Sequence, residues 1–430
     1  MADTLTVHET SFPNAKPREA RLIAYKAFAD LAGKGSLFVI MIVAARRLSP
    51  ASFGVFSLGS TLGWIVAVAS DCGIQLHLAR AVARQPSAAA ALLQQWLRVR
   101  LWTAAAAVLV VALGLAAGWR ATVAAPMAIL AVVYACSGLI ELLHYFYRGL
   151  SRSDVESSLV LWQRGGTLVC GLLALAWKPD VTLLALAMLV PVAVTLAVSL
   201  RIASQLSSTI SRDAVTAPTP SAWFTVFRRD VWPISAGIVL SALYFRIDVF
   251  LVQLWAGTEP VAFYNAVFRL VEALRLFPAA VLAVALPELV RAGDLRPLAR
   301  VAIPITGFAL AATALLWIAA GWLIPLLYGG AYAPAVPAFR VLLLSFPLLS
   351  LNFALTHQLV GWDGQRAYAG LCALALVVNV ALNARLIPLW SIEGAAWATL
   401  GTELVLTAGC GVALWSRRAP THSGQLVTES

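Results

Sequence analysis

The chain has 430 residues, 61% of them apolar and only 12% charged, with a mean hydropathy of +0.84 and a formal net charge of +11. Soluble globular domains carry about 25% charged residues, so this composition excludes a water-soluble domain and points to an all-α polytopic membrane protein. The positive excess does not mark nucleic-acid binding, because the basic residues are scattered between apolar stretches and never clustered with exposed aromatics.

The first twenty residues are polar and lack the apolar run of a cleavable signal peptide, so the first spanning helix is expected to direct insertion. Twelve spans are predicted, at roughly 26–46, 53–73, 100–118, 123–144, 158–177, 181–200, 232–255, 261–287, 301–327, 338–360, 367–388 and 392–415. Each is near the ~20 residues needed to cross a ~30 Å hydrocarbon core. Basic residues concentrate in the N-terminal tail, the even-numbered loops and the C-terminal tail, among them Arg18, Arg80, Arg84, Arg98, Arg100, Arg148, Arg152, Arg201, Arg228, Arg291, Arg300 and Arg417. The odd-numbered loops and their margins hold Arg46, Arg47, Arg120, Lys178, Arg340 and Arg385. The positive-inside rule then places both termini in the cytoplasm.

The first span carries Lys26, Asp30 and Lys34 at i, i+4 and i+8, all on one face. Lys26 can snorkel to the rim, but Lys34 lies too deep and must pair with Asp30 or face a cavity. Residues 86–100 are predicted to form a short amphipathic helix on the cytoplasmic surface, with Trp96 and Trp102 near the interface. Glu141, His144, Tyr145, Tyr147 and Arg148 end the fourth span and read chiefly as interface anchors. Arg164, opening the fifth, is a candidate for the cytoplasmic wall of a cavity. The five cysteines (72, 136, 170, 372 and 410) stand singly in or beside apolar segments and read as small packing residues.

Residues 201–230 form the longest polar stretch between spans, and their Ser, Thr and Pro content marks the join between two six-helix halves, 1–200 and 231–430. The turn at Leu48–Leu58 echoes that at Ala256–Leu270, so the halves read as parallel repeats about an axis along the membrane normal.

The stretch from Arg246 to Glu288 places the most charge at depth. Arg246 and Asp248 lie on the seventh span. Asn265, Arg269, Glu272 and Arg275 lie on the eighth, within an arc of about 120°. Arg269 falls about 14 Å below the Gly257–Pro260 turn, near the middle of the core. An ionised group there costs about 2.5–3.5 kcal/mol on insertion scales. The stripe either neutralises itself through i,i+3 pairs between packed helices or lines a wet cavity with surplus positive charge. The second reading is favoured, since ionisable groups inside the membrane mark pathways by default.

Several patterns resemble the oligosaccharide (polysaccharide, Wzx-type) flippases, in the superfamily that also holds multidrug-and-toxin exporters and lipid II flippases. Asp248, Gly257, Glu259, Tyr264, Asn265, Arg269 and Pro287 fit the family's seventh-to-eighth hairpin. Leu48-Ser49-Pro50, followed by Phe53-Gly54, resembles its first hairpin, and Ser70-Asp71-Cys72-Gly73 the close of its second span. Leu327–Ala335 resembles its turn after the ninth span. Asn379 and Asn383, with Ile387-Pro388 and Gly394–Thr399, resemble its eleventh-to-twelfth signature.

The resemblance implies twelve helices in two lobes around a central cavity. It also implies alternating-access transport of polyprenyl-pyrophosphate-linked oligosaccharide across the bacterial inner membrane, with no cofactor and no catalysis. Expected partners are the lipid-linked oligosaccharide, membrane lipids and the polysaccharide polymerase and export machinery, with no nucleic acid. Lys34, Arg164, Arg246, Arg269, Glu272 and Arg275 are the cavity candidates. Some relatives bind a cation in the second lobe at similar places on the seventh, eleventh and twelfth spans. Asp248, Asn379, Asn383, Thr399 and Glu403 are accordingly the coupling-cation candidates, with Asn383 standing where relatives can carry a carboxylate. The competing use of these groups is hydrogen bonding between helices. An exporter of drugs or metabolites and a membrane-embedded glycosyltransferase or polymerase are the rival functions. The second would be expected to carry a large periplasmic loop, and every odd-numbered loop here is short. No phosphate-binding Gly-rich loop occurs in the sequence.

Overall fold

The computed structural model describes residues 17–210, 232–291 and 294–417, and among these it is helical with short turns and no strand. That is the expected answer to a bilayer, where each backbone N–H and C=O must be satisfied within its own segment. The helices in chain order are α1 (Pro17–Arg47), α2 (Pro50–Asp71), α3 (Ile74–Arg84), α4 (Ala89–Gly118), α5 (Ala121–Gly149), α6 (Ser153–Trp177) and α7 (Val181–Ile210). After the interval outside the described residues come α8 (Trp232–Trp255), α9 (Thr258–Leu274), α10 (Leu276–Arg291), α11 (Arg296–Tyr328), α12 (Val336–Gly361) and α13 (Gln365–Ser416). Most of the predicted 201–230 linker lies outside the described residues, while α7 carries its first ten residues as helix.

The twelve predicted spans are recovered, with two changes of detail. The long α13 is two antiparallel spans joined by a sharp reversal at Trp390 and Ser391, where Ser391 takes φ 49°. The reversal is tight enough that a Cβ on Gly394 would lie 2.2 Å from the Leu386 carbonyl oxygen. The eighth span is broken after Leu274 and resumes as α10. Pro278 has no N–H to offer the Leu274 carbonyl, and its ring crowds that turn.

The surface helix lies earlier than predicted. Residues 89–100 are the start of the long α4, and the amphipathic element is α3, which buries Ile74, Leu78 and Val82 at i, i+4 and i+8. The turn into α3 is set by Asp71, whose carboxylate accepts from Gly73 N (3.1 Å) and Gln75 N (3.3 Å). Trp96 is not at an interface but buried, with its ring 5.0 Å from that of His77, whereas Trp102 is exposed.

Within the first half α1 packs on α6, α2 on α5, and α5 and α6 on α7; within the second α12 packs on α11 and α13, and α13 on α8. Between the halves α2 meets α8 and α9, and α1 meets α9 and α11. The outer surface is inverted relative to a soluble protein. On α4 Trp102, Val110 and Leu113 are exposed, and on α11 Ile303, Leu315 and Ile318.

The cores show how the halves are joined. At the end carrying the odd-numbered turns a single core holds Ile40, Phe53, Phe56 and Leu130 together with Tyr264, Tyr328, Tyr332 and Phe339. At the other end there are two separate cores. One is built on Leu78, Trp96 and Phe146 of the first half, the other on Leu289, Leu298 and Leu359 of the second. The halves touch at one end and part at the other.

The joined end is a backbone contact. A Cβ placed on Gly54 of α2 would lie 2.0 Å from the carbonyl oxygen of Thr258, the first residue of α9. The 3-10 turn Gly330–Ala335 closes over it, with the Tyr332 ring edge-on to Phe53 (6.0 Å) and Phe263 (5.4 Å). Tyr328 donates to the Ala266 carbonyl at 3.0 Å. A side chain at Gly54 must therefore push the halves apart. Gly54→Val is expected to lose about 1–3 kcal/mol of stability, read as a lowered thermal unfolding midpoint of the purified protein. Gly114→Ala, where an added Cβ meets nothing within 4 Å, should leave the midpoint unchanged.

Candidate functional site

Between the parted halves lies a cavity of about 510 Å³ lined by α1, α2, α5 and α6, with Arg269 and Ile238 from the second half. Its wall carries Lys34, Arg100, Arg148, Arg164 and Arg269 against Asp30, Asp71, Glu141 and Glu156. A second chamber of about 400 Å³ adjoins it, lined mainly by α8, α12 and α13, and the two share Trp64, Val68 and Ile238.

The charges of the first chamber fall into two sets. One is paired. Arg148 Nε donates to both carboxylate oxygens of Glu156 at 2.9 Å, and Lys26 reaches Glu156 at 3.5 Å. Arg100 is fully buried between α2, α4 and α5, donating to Ser70 Oγ and the Ala67 carbonyl, with Nε 3.8 Å from Asp71. Its Nη2 occupies the space a Cβ on Gly138 would need, 2.6 Å away. The other set is unpaired. Lys34 is exposed to the cavity, and the i,i+4 partner Asp30 makes no ion pair with it. Arg164 lies with its stem over Gly33, 3.2 Å from where a Cβ there would sit, and its guanidinium has no ion-pair partner among the described residues.

The stripe on α9 is divided in the same way. Glu272 accepts from Arg246 Nη2 at 2.7 Å and from Arg269 Nη1 at 2.8 Å, so one carboxylate bridges two guanidiniums. Arg246 sits behind the wall, 3% exposed, its guanidinium 4.9 Å from the Phe268 ring and 5.3 Å from that of Phe245, and it lines neither chamber. Arg269 reaches the cavity, and its Nε has no partner. Arg275 stands at the break between α9 and α10 and opens into the second chamber.

Behind the second chamber is a knot of polar groups from α8, α9, α12 and α13. Asp248 accepts from the Tyr264 hydroxyl and from Val249 N (2.9 Å), and Tyr264 lies 3.2 Å from Thr399 Oγ1. Glu403 accepts from the Tyr244 hydroxyl and from Asn352 Nδ2 (2.7 Å). Asn383 donates to Asn379 Oδ1 at 2.8 Å, Asn379 faces Thr402 Oγ1 at 3.4 Å, and Asn383 Oδ1 is buried without a partner. Asp248, Asn379, Thr399, Thr402 and Glu403 converge on a space of about 10 Å³, the volume of one water-sized particle. Asn383 stands outside this lining, behind Asn379.

Four of the six residues expected to line a cavity do so: Lys34, Arg164 and Arg269 in the first chamber and Arg275 in the second. Arg246 and Glu272 are brought together beside Arg269 as its ion-pair partners. The sequence reading missed Arg100, which it counted among the loop cations, and also Tyr244 and Asn352. The nearest signal for Arg100 was the Ser70-Asp71 motif, which needs a donor opposite it.

The chain is similar in fold to solved transporters. An inward-facing multidrug resistance MATE family transporter of the MOP superfamily aligns with TM-score 0.69 at 15% identity, covering 89% of this chain and 93% of that one. Lipid II flippase MurJ in an inward closed conformation aligns with TM-score 0.71 at 11% identity, covering 93% and 88%. An outward-facing MATE family transporter aligns with TM-score 0.60 at 16% identity, covering 92% and 94%. No curated protein sequence matches significantly. The family described as polysaccharide biosynthesis protein matches residues 21–292, most of the chain, and the protein belongs to that family.

Proposed function

We propose that the protein is a flippase that moves polyprenyl-pyrophosphate-linked oligosaccharide from the inner to the outer leaflet of the bacterial inner membrane by alternating access. The observation that carries this reading is the cavity itself. It is polar, opens at one end of an apolar bundle, and presents Lys34, Arg164 and Arg269 to its interior. A glycan cannot enter hydrocarbon without losing its hydrogen bonds to water, and a wet channel supplies replacements. A pyrophosphate needs charge-assisted donors, which guanidinium and ammonium groups provide. The isoprenoid chain can remain in lipid beside the gap between the halves.

The parted end is the one that carries the even-numbered turns, so the positive-inside assignment makes this an inward-open state. The better fit to the inward-facing MATE transporter than to the outward-facing one agrees with it. Transport then requires the seam at Gly54 and Thr258 to open while the two separate cores close on each other. Reporter fusions after Ala20, within 201–230 and after Arg418 should all read as cytoplasmic; a periplasmic signal from the middle one would overturn the two-times-six arrangement.

Arg269→Ala removes a cavity cation while leaving the Arg246–Glu272 pair intact. It is expected to cut glycan export by at least about tenfold, one charge-assisted contact being worth roughly 1.5–3 kcal/mol, with normal abundance in the membrane. Wild-type export by this variant would remove the cavity role. Transport of cationic dyes in place of lipid-linked glycan would favour an exporter.

The knot around Asp248 is proposed as the coupling-cation site, since its Asp, Asn, Thr and Glu oxygens are hard ligands suited to a small cation. Flux in vesicles should respond to an imposed Na⁺ or H⁺ gradient, and Asp248→Asn and Glu403→Gln should each abolish that response. Flux that ignores both gradients in wild type and variants alike would leave the knot as interhelical packing.

A further inference from the structure

The two chambers differ in chemistry, and the difference centres on Arg275. Its guanidinium carbon lies 4.6 Å from the centroid of the Phe245 ring and 5.6 Å from that of Phe353, so it is packed against two aromatic rings contributed by α8 and α12. Contact with ring faces uses the flat faces of a guanidinium and leaves its N–H edges to donate. Among the described residues no carboxylate lies within ion-pair distance of it, and it makes no hydrogen bond to a side chain. Glu403, the carboxylate on the same wall, is engaged by Tyr244 and Asn352. Arg275 is a charge framed by two rings and opening into a chamber whose lining carboxylate, Glu403, is already held by hydrogen bonds from Tyr244 and Asn352.

The rest of the chamber has the character of a saccharide site. Trp64, Phe353 and Tyr368 present ring surface, while Ser241, Thr356 and His357 supply hydroxyl and imidazole groups between them. The C–H faces of a sugar ring pack on aromatic faces, and its hydroxyls need scattered neutral donors and acceptors. The first chamber shares Trp64 and adds Tyr134, but it concentrates charge, with Lys34 and Arg164 unpaired on its wall. Its volume and that of the second chamber both fall in the range of small-ligand sites, about 300–1,000 Å³.

We propose that the second chamber is a glycan subsite for an acidic sugar, in which Arg275 receives the carboxylate of a uronic acid while the first chamber holds the pyrophosphate. The proposal rests on the flippase reading and adds to it a division of labour and a charged headgroup. A planar carboxylate matches the two parallel N–H donors that an arginine edge presents, so the contact is bidentate and discriminates against a neutral hexose of the same shape. The aromatic neighbours hold the guanidinium plane before the ligand arrives, so little side-chain freedom is lost on binding. A bare phosphate would be the poorer occupant, because it brings no C–H face to the rings.

The test uses the full-length protein in lipid nanodiscs and three short-chain polyprenyl pyrophosphate probes. One carries a trisaccharide ending in glucuronic acid, the second the same trisaccharide ending in glucose, and the third no sugar. Wild type should bind the acidic probe at least about tenfold more tightly than the neutral one, by the strength of a charged bidentate contact. Arg275→Gln should abolish that preference while leaving affinity for the neutral and sugar-free probes unchanged, which also shows that the variant is folded. Arg275→Lys, which keeps the charge without the planar fork, should restore only part of it. Lys34→Gln, in the other chamber, should weaken all three probes alike. Equal affinity of wild type for the acidic and neutral probes, or an equal loss for both in Arg275→Gln, overturns the subsite and leaves the flippase reading standing. Failure of wild type to bind any of the three overturns both.

Discussion

The structure depends on one contact that tolerates no side chain. At Gly54 the backbone of α2 meets the carbonyl of Thr258 at the head of α9, and Tyr264, Tyr328 and Tyr332 belong to the single core that spans both halves at that end. With that end fixed, the two bundles diverge toward the other, and their cores become separate. A wedge-shaped void between apolar walls would forfeit dispersion contacts along its whole surface. The sequence avoids that by lining the wedge with polar and charged groups, so that the gap is hydrated. The position of the cavity and its polarity are thus two consequences of the same seam.

That wedge also sorts the charges. Arg246, behind the wall, is bound on several sides by Glu272 and two rings, and Arg100, on the wall yet fully buried, by Ser70, the Ala67 carbonyl and Asp71. Breaking such a buried pair costs about 3–5 kcal/mol because the remaining charge is stranded, so these groups act as pins between helices. Lys34, Arg164 and Arg275 reach the wedge without an ion pair, whereas Arg148 and Arg269 reach it paired with Glu156 and Glu272. Water in the gap solvates them in the absence of an anionic ligand, and a ligand that replaces that water meets donors already in place. The same residue type therefore does two jobs according to a few ångströms of depth.

Much of this was legible in the sequence. Hydropathy gave the spans, because a bilayer imposes a length and a composition that few other constraints imitate. The helical repeat gave the polar stripe on the eighth span, and four of the residues singled out for a cavity line one. Spacing could say which residues share a face and not what that face meets. Arg246 and Arg269 look equivalent as deep cations, yet one is behind the wall and the other on it. Lys34 and Asp30 stand at i,i+4, a spacing that left a pair or a cavity-facing lysine equally open, and both line a polar gap where a pair has little to gain. Arg100 was hidden by its place in a basic loop, and only the fold brings Ser70, Asp71 and Gly138 around it. The amphipathic helix was placed too late because Pro86 and the alanines after it mimic the start of a surface element, whereas the Asp71 turn begins one at Ile74. The break in the eighth span was marked by Pro278 and overlooked within an otherwise continuous apolar run.

The halves are alike in plan and unlike in chemistry, and the unlikeness has a consequence for coupling. The aromatic chamber and the small space at Asp248 are separated by one layer of side chains, since Tyr244, Phe245, Leu349 and Glu403 line both. Tyr244 donates to Glu403 across that layer, and Phe245 packs on Arg275 on one side and Phe268 on the other. Two ligands influence each other only through groups whose contacts differ between the occupied states. These four side chains are such groups: a species entering the small space must take a share of the Glu403 and Asp248 oxygens from the tyrosines that now donate to them. Release of Tyr244 would free a hydroxyl that lines the chamber, next in sequence to the Phe245 ring against Arg275. If the small space takes the proposed ion and the chamber the proposed glycan, their coupling needs no long-range path, because the two cavities share these four side chains.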